Sequence, residues 1–321
     1  MKTTAQDWLS REEIRQLLAP SNLRGLLSVA TTWGLIALAF TILVWLPVRP
    51  LAWLLAVVLL GGRQLALAIL MHECSHGSLF RTRALNEHLG TWLLAAPVWQ
   101  RLGDYRRHHL MHHAHTSLAG DPDLGLVTPF PTTRWSLARK LLRDLSGLAF
   151  LRRTMAELLM DAGVLTYSAS TGQERVVPRP SLSAMLRGLR VNTGPMLLTH
   201  FVLWSVLAAV GHGGLYLAWV LANATTFSLF LRIRSIAEHA VTTASDDPLT
   251  HTRTTHANLL ARLTVAPHHV NYHLEHHLLP TVPHYRLERL HALLWERGAA
   301  AKATHSPGYL EVLRLASGAL R

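Results

Sequence analysis

Cysteine and charge are both scarce in this sequence of 321 residues. Cys74 is the single cysteine, so an intramolecular disulfide is excluded and nothing indicates an oxidising compartment. Charged residues make up 16% of the chain, against roughly 25% in ordinary soluble domains, whereas hydrophobic residues make up 50%. This composition excludes an ordinary soluble domain and predicts an integral membrane protein. We expect Cys74 itself to be a small packing residue.

Recognisable targeting and nucleic-acid-binding sequences are also lacking. The first 24 residues are polar and contain acidic residues, which is not the pattern of a signal peptide. The formal net charge of +12 would suit nucleic acid, an anionic membrane surface or an acidic protein partner. No known nucleic-acid-binding module is present, and the arginines follow the hydrophobic segments. We therefore expect no nucleic-acid partner and retain the other two explanations.

Long hydrophobic runs are what the sequence does contain. Four of them, at about 26–47, 51–71, 195–211 and 214–232, approach the roughly 20 residues that cross a bilayer core. The link within each pair is short, which predicts two helical hairpins. Arginine is concentrated between the pairs and nearly absent from the short links. The positive-inside rule therefore predicts that the central segment and both termini are cytoplasmic.

These boundaries divide a chain that we expect to form one domain. The predicted parts are an interfacial amphipathic helix (1–25), a first transmembrane hairpin (26–76), a cap segment (77–194), a second hairpin (195–232) and a further cap segment (233–321). Ser10 and Glu13 predict a capping box in the first helix. Residues 88–100 are too short to span and predict a re-entrant or interfacial segment. Residues 141–167 predict an amphipathic helix on the inner leaflet.

Histidine is abundant, with 21 residues, and much of it is clustered. His72 and His76, at the end of the second hydrophobic run, belong to an H-E-x-x-H sequence that places both imidazoles on one helix face. Zinc proteases bind their metal with this spacing and use the glutamate as general base. An intramembrane zinc metalloprotease is therefore one hypothesis.

An H-x-x-H-H sequence occurs twice, and this repeat favours a different hypothesis. The first copy contains His109, His112 and His113, the second contains His273, His276 and His277, and His239 follows the fourth hydrophobic run. The predicted topology places all of these histidines, with His72 and His76, on one side of the membrane. A zinc site uses three or four protein ligands, whereas this many imidazoles suit two transition-metal ions with open positions.

These sequences resemble the membrane fatty acid desaturase and hydroxylase superfamily, whose hallmark is three histidine boxes that bind a non-haem di-iron centre. The resemblance extends from about residue 50 to residue 295, and AHTSLAGDPDL, RSIAEHA and NYHLEHHLLPTVPHYRLERLH are most similar to the bacterial acyl desaturase branch. It implies an all-α integral membrane fold of four transmembrane helices in two hairpins, with a cytoplasmic helical cap that carries two iron ions. The implied ligands are His72, His76, His109, His112, His113, His239, His273, His276 and His277, of which His239 lies outside the three boxes.

Other polar residues are expected to support such a site. Metal-bound histidine usually donates its second N–H to a carboxylate, which predicts that role for Glu73, Asp121, Asp123, Glu238 and Glu275. Asn271 is expected to form a turn, with a direct approach to a metal as the alternative. Arg63 and Gln64 should face the protein interior as a hydrogen-bonding hub, with orientation of a polar substrate group as the alternative for Arg63. We expect most of the other histidines to lie on the surface or around the metal ligands, and these are His88, His108, His115, His200, His212, His251, His256, His268, His269, His284, His291 and His305.

The activity that the resemblance implies is O2-dependent insertion of a double bond into a fatty acyl chain, free or carried on CoA, carrier protein or glycerolipid. The sequence has neither the G-x-G-x-x-G of a dinucleotide-binding domain nor the His-Pro-Gly-Gly of a fused cytochrome b5-like domain. An external electron donor is therefore implied, such as a ferredoxin, a rubredoxin or a cytochrome b5-type protein with its reductase. The Ala-, Leu- and Arg-rich composition suggests a bacterial source, so we expect the protein in the bacterial inner membrane. Hydroxylation or ketolation of a lipid, alkane or carotenoid, and oxidative decarboxylation to a terminal alkene, remain alternatives on the same centre.

Overall fold

The computed structural model describes residues 3–170 and 172–318, and helices dominate this part of the chain, as the all-α prediction requires. The α-helices are α1 (Arg11–Leu17), α2 (Asn22–Trp45), α3 (Arg49–His76), α4 (Arg83–Leu89), α5 (Leu102–His115), α6 (Leu124–Val127), α7 (Arg134–Leu145), α8 (Leu148–Asp161), α9 (Leu182–Ala209), α10 (Tyr216–Ala222), α11 (Ser228–His239), α12 (Pro248–His251), α13 (Leu259–Leu263), α14 (His273–Leu278), α15 (His284–Glu296) and α16 (Tyr309–Ala316). Strands β1 (Thr254–Thr255) and β2 (His305–Ser306) form a parallel pair. Shorter 3-10 turns lie at Ala5–Asp7, Ala96–Val98, Gly213–Leu215, Pro267–His269 and Ala299–Ala301, and π turns at Gly90–Ala95 and Asn223–Phe227.

Four helices within the described residues are long and apolar enough to cross a membrane, which confirms the predicted number. They are Asn22–Trp45, Arg49–His76, Leu182–Ala209 and Gly213–His239, the last made of a 3-10 turn, α10, a π turn and α11. The third begins at Leu182, well before the predicted start at about 195. Its first turns contain Arg187 and Arg190, and hydropathy alone leaves such charged residues out of a predicted span. The Ser181 side chain caps the start of the helix by accepting a hydrogen bond from the Ala184 N–H.

The second of these helices, α3, is the most buried of the four, and two of its glycines are in close contact with other segments. A Cβ atom at Gly61 would lie 2.1 Å from Thr226 Oγ1, and one at Gly62 would lie 2.1 Å from the Leu263 carbonyl oxygen. No side chain fits at either position without moving its neighbours. Glycine therefore lets two distant parts of the chain pack directly on the α3 backbone.

Arg63 and Gln64 are buried in the protein interior, as expected for polar residues within a membrane helix. Arg63 donates to the carbonyl oxygens of Arg262 and Leu263, at 3.1 and 2.9 Å. Gln64 Nε2 donates to the Trp219 carbonyl oxygen at 2.9 Å. Both side chains therefore fasten α3 to neighbouring segments, which is the structural role preferred for them.

Helix α1 differs from its prediction in what covers its apolar face. The capping box of Ser10 and Glu13 is present and begins the helix. Leu17, however, packs with buried leucines of α15 rather than facing outward to a membrane. Periodicity in a sequence indicates that one face is apolar, but it does not reveal which surface covers that face.

The amphipathic helix predicted over 141–167 is interrupted. Two helices, α7 and α8, meet at Ser146 and Gly147, and the φ of 80° at Gly147 is a left-handed conformation that favours glycine. Leu142, Leu148 and Leu151 are exposed along the two helices. This pair of helices therefore retains an apolar surface suited to a membrane, although the chain turns within it.

Candidate metal centre

The end of α3 supplies two of the candidate histidines. His72 and His76 lie one helical turn apart, with ring centroids separated by 5.0 Å. Gly77 follows with a φ of 69°, and the helix ends there. A left-handed residue at this position is a common helix terminator and favours glycine. The chain consequently turns away directly after His76 and leaves both imidazoles beside α5.

Helix α5 brings the first H-x-x-H-H sequence against this helix end. Nε2 of His109 lies 2.9 Å from Nε2 of His76 and 2.9 Å from Nε2 of His113. His276, on α14, places its Nε2 3.0 Å from that of His113. With His72, these residues offer five ring nitrogens that all lie within 4.8 Å of one another. We call them the five-histidine group.

The other four candidate histidines form a second group. Nε2 of His273 lies 2.8 Å from Nε2 of His239 and 3.1 Å from Nε2 of His277. The His112 ring completes the four-histidine group, with centroids 4.8 Å from the His239 ring and 5.2 Å from the His277 ring. A Glu238 oxygen lies within 4.8 Å of His239 and His273 nitrogens. His239, although outside the three boxes, is thus placed among the others.

Each H-x-x-H-H helix contributes to both groups. On α5, His112 belongs to the four-histidine group and its two box neighbours belong to the other. On α14, His276 belongs to the five-histidine group and its two box neighbours belong to the four-histidine group. Residues four apart share a helix face more closely than residues one apart, so each box divides two to one. The two groups are therefore adjacent and share their supporting helices.

The nitrogen contacts fit metal coordination better than hydrogen bonding. A neutral imidazole nitrogen either carries one hydrogen or offers one lone pair. Nε2 of His109, His113 and His273 each lies within 3.1 Å of two other Nε2 atoms, so no placement of hydrogens makes every contact a linear hydrogen bond. Two nitrogens bound at right angles to one ion, each at about 2.1 Å, lie about 3.0 Å apart. The residues therefore fit one transition-metal ion in each group.

Oxygen atoms behind the rings determine which nitrogen is available to a metal. Nδ1 of His112 lies 2.8 Å from an Asp121 carboxylate oxygen and donates to it. Nδ1 of His277 lies 3.3 Å from the Thr116 hydroxyl, which itself donates to the His112 carbonyl and so must accept from His277. We infer that both rings carry hydrogen on Nδ1 and present the Nε2 lone pair to the group.

Two more predicted carboxylates stand beside the rings at longer range. Oε1 of Glu73 lies 3.5 Å from Nδ1 of His72, and Oε1 of Glu238 lies 3.5 Å from Nδ1 of His273. Arg234 Nε donates to Glu238 Oε1 at 2.6 Å, which fixes the position of that carboxylate. The five-histidine group therefore has a carboxylate behind one ring, and the four-histidine group, counting Asp121, has carboxylates behind two.

The remaining supporting residues have other partners. The Glu275 carboxylate bonds to Nδ1 of His291 at 2.6 Å, and Asp123 bonds to Nε2 of His108 at 2.8 Å while its other oxygen lies 3.8 Å from Nδ1 of His112. Glu275 thus orients a histidine outside the nine candidates, contrary to expectation. Asn271 is buried and pairs through its backbone carbonyl with β1. Helical spacing placed these residues near the boxes but could not identify their partners.

Two histidines without box spacing, the buried His284 and the partly buried His268, connect α2 to the site. The backbone N–H of His284 donates to Glu73 Oε2 at 2.8 Å, and its ring Nε2 lies 3.0 Å from Ser28 Oγ. Nε2 of His268 lies 2.8 Å from Thr32 Oγ1. Neither residue has a sequence signal that distinguishes it from a surface histidine. Their polar partners lie on a membrane helix more than 200 residues earlier, which only the structure reveals.

Burial affects the protonation of the clustered rings. Removal from water, followed by the charges of neighbouring rings, lowers the pKa of His109, His113, His273, His276 and His277 well below its ordinary value. Neutral imidazole is the form that binds metal ions. The rings are therefore in the ligand form over the physiological pH range.

A cavity of about 460 Å³ opens beside the four-histidine group. His112, His239 and His273 line it, together with His109 of the five-histidine group, and residues of α8, α11 and the segment 98–101 contribute further lining. Glu157 and Asp161 are among them, and sequence reasoning missed both. Their spacing of four residues, on the same buried face of α8 as Met160, was the available signal.

Two comparisons with known proteins bear on this geometry. The family model described as Fatty acid desaturase matches residues 49–309, a range that includes all nine candidate histidines. A dihydrorhizobitoxine desaturase from Bradyrhizobium elkanii is 27% identical to this chain over 322 aligned positions, which cover 94% of this chain and 85% of that protein.

Proposed function

The chain belongs to the fatty acid desaturase family and is an oxidoreductase of that class, and we propose that it inserts a double bond into a saturated acyl chain, using O2 and two iron ions held by its nine clustered histidines. Family membership implies a lipid substrate and an electron donor. The observation that carries the proposal is the convergence of the imidazoles into two adjacent groups at the edge of one cavity.

Two bound irons would supply O2 activation, so that one hydrogen leaves each of two neighbouring methylene carbons and O2 leaves as two waters with two electrons and two protons from the donor. The protein's own residues prepare this step. Asp121 and Thr116 keep Nε2 of His112 and His277 turned toward their group. The cavity would hold the substrate chain beside His112 and His239.

In this proposal the four apolar helices form two transmembrane hairpins, and the other helices form a cytoplasmic cap that carries the site. The arginine-rich segment between the apolar pairs supports cytoplasmic termini, and the Ala-, Leu- and Arg-rich composition supports a bacterial inner-membrane location. A ferredoxin, rubredoxin or cytochrome b5-type protein would then deliver electrons from the cytoplasmic side.

A zinc protease centred on the H-E-x-x-H sequence fits the structure less well. His72 and His76 lie in a group with three further histidines, so a three-ligand zinc site leaves the others unexplained. The Glu73 carboxylate accepts hydrogen bonds from the His284 backbone N–H at 2.8 Å and from the Ser78 hydroxyl at 3.1 Å. A carboxylate held in this way is poorly placed to act as a general base.

A second candidate function is the same reaction on a different class of substrate. The Bradyrhizobium elkanii relative is named for dihydrorhizobitoxine rather than for a fatty acid. Acidic residues such as Glu157 and Asp161 line the cavity of this chain, which favours a substrate that carries polar groups. Desaturation of an amphiphile with a polar function inside the cavity is therefore the alternative that the geometry supports.

Metal content per chain tests the proposal, measured after anaerobic purification in mild detergent. His112→Ala removes a member of the four-histidine group, and His276→Ala removes a member of the five-histidine group. We expect about two irons in the wild type, with iron lost from both variants. His88→Ala, an exposed histidine outside both groups, is the matched control and should retain the wild-type content.

About one zinc per chain, unchanged in His112→Ala and His276→Ala, would contradict the di-iron proposal and favour the protease. Analysis of lipid products then separates the reactions on a confirmed di-iron centre. Loss of two hydrogens indicates desaturation, gain of oxygen indicates hydroxylation or ketolation, and loss of one carbon indicates decarboxylation.

A further inference from the structure

Among the buried acidic residues that line the cavity, Glu157 has the weakest set of partners. The residue is 8% exposed, and its two contacts within residues 3–170 and 172–318 are both long. Gln100 Nε2 lies 3.5 Å from Glu157 Oε1, and Arg153 Nε lies 3.6 Å from the same oxygen. An ionised carboxylate can accept about four hydrogen bonds, so most of its accepting capacity is unused.

The other acids of the cavity have close partners. Asp161 accepts a hydrogen bond from Thr193 at 2.8 Å and pairs with Arg101. Glu238 pairs with Arg234 at 2.6 Å. A buried carboxylate without such a partner is costly, and its persistence at the wall of a cavity indicates a ligand that completes it.

Arg153, the cation nearest to Glu157, is directed elsewhere. Its guanidinium donates to the side-chain oxygen of Asn223 at 2.6 Å and to Ser228 Oγ at 3.2 Å. These bonds hold the guanidinium toward the end of α10 and the start of α11. Arg153 is therefore shared between these two acceptors and a long ion pair of 3.6 Å with Glu157, which leaves most of the accepting capacity of the carboxylate available to a molecule in the cavity.

The wall beside Glu157 contains a strained turn. Trp99 has a φ of 60°, a left-handed conformation that is unfavourable for a bulky residue. This turn brings four consecutive residues, 98–101, to the cavity lining. Gln100 is held there because Tyr167 donates from its hydroxyl to Gln100 Oε1 at 2.9 Å. The Tyr167 oxygen keeps its lone pairs and adds an acceptor to this wall, which also contains the cations Arg101 and Arg153.

We propose that Glu157, with Gln100 and Tyr167, binds an amine or hydroxyl group of the substrate inside the cavity. The substrate class is then an amphiphile that carries a hydrogen-bond donor, rather than a lipid whose only polar group is a carboxylate or ester. This assignment rests on the proposed function, because it takes the cavity beside the four-histidine group as the substrate site. Burial raises the pKa of Glu157 to about 7, which an approaching ammonium group would reverse.

Direct binding of two matched probes tests the assignment. Decylamine and decanoic acid have the same chain length and opposite head-group charge, and each is titrated against the full-length, iron-loaded protein at pH 7.5 in mild detergent. The wild type should bind decylamine about tenfold more tightly than decanoic acid, and Glu157→Gln should lose most of this preference. Glu174→Gln, an exposed glutamate near the cap surface, is the matched control and should keep it.

Tyr167→Phe provides a second variant that removes only one hydroxyl group. It should weaken decylamine binding by a few-fold and leave decanoic acid binding unchanged, because Gln100 loses the bond that holds it. Equal affinity of the wild type for both probes would overturn the assignment. Equal weakening of both probes by Glu157→Gln would also overturn it, because it would assign Glu157 a structural role.

Failure of this assignment is distinguishable from failure of the proposed function. Probe binding requires no turnover, and the metal content of Glu157→Gln is measured on the same sample. If the protein binds two irons but shows no preference for the amine, the substrate assignment is wrong and the desaturase proposal stands. If the protein binds no iron, the desaturase proposal is wrong, whatever the affinities for the two probes.

Discussion

Replacing Asp121 with asparagine should weaken metal binding by the four-histidine group and leave the fold intact. The carboxylate accepts hydrogen bonds from Nδ1 of His112 at 2.8 Å, from the Asp123 backbone N–H at 2.8 Å and from the Ser117 backbone N–H at 2.9 Å. His112 and Asp123 share one oxygen, and Ser117 uses the other. An asparagine amide has one accepting oxygen, so its NH2 group must face one set of donors.

The magnitude follows from the better of the two amide orientations. The oxygen then faces His112 and Asp123, and the NH2 group faces the Ser117 N–H. His112 keeps a neutral hydrogen bond in place of a charge-assisted one that is roughly twice as strong. Loss of an outer carboxylate partner typically lowers metal affinity by about 10–100-fold. That range corresponds to about 1.4–2.8 kcal/mol of binding free energy.

Iron retention against increasing chelator concentration measures this effect on the purified full-length protein. Asp121→Asn should release about one iron per chain at roughly 10–100-fold lower chelator concentration than the wild type, while the other iron stays bound. Asp246→Asn, at an exposed position outside the site, should follow the wild-type curve. Wild-type retention of both irons by Asp121→Asn would refute the view that Asp121 orients a metal ligand.

Three further predictions concern packing, charge and the second group. Gly62→Ala should lower the melting temperature by an amount equivalent to about 1–3 kcal/mol, because the new Cβ meets the Leu263 carbonyl oxygen, whereas Gly34→Ala, with open space around it, should not. Burial raises the pKa of Glu157 from 4.5 to about 7, with the charges of Arg153, Asp161 and Arg101 as smaller contributions. A folded pKa above the unfolded one means that stability falls as pH rises from about 4.5 through 7. Glu157→Gln should therefore have a higher melting temperature than wild type at pH 8 and a similar one at pH 4. The same difference in melting temperature at both pH values would contradict the raised pKa of Glu157. His239→Ala should lose iron from the four-histidine group alone, and loss of both irons would indicate one indivisible centre.

Local helical geometry explains how much of the site was predictable. Histidines at i and i+4, or at i, i+3 and i+4, point to related faces of a helix whatever the helix packs against. This spacing predicted eight of the nine candidate positions, the family resemblance supplied His239, and the structure gathers all nine. Hydropathy likewise predicted four membrane-spanning helices, because a bilayer imposes a minimum length on each apolar run.

Positions set by partners far away in the chain were not predictable. Leu17 lies on the apolar face of α1, but only the structure shows that α15 covers it. The Ser146–Gly147 break in the predicted helix depends on a left-handed glycine that is tolerated in many other contexts. Glu275 follows the spacing of a supporting carboxylate, yet it bonds to His291, because partner choice depends on packing rather than on spacing.

The sequence by itself determined the membrane class, the number of apolar helices and the eight box histidines, since each depends on composition or on spacing within one segment, whereas His239 was assigned only through the family resemblance. Only the tertiary structure decided how the histidines divide into two groups, and which buried acid of the cavity lacks a close partner. Glu157 and Gln100 are 57 residues apart and meet only after α8 packs against the segment 98–101. Burial and pairing are properties of such assembled surfaces, so no single stretch of sequence contains them.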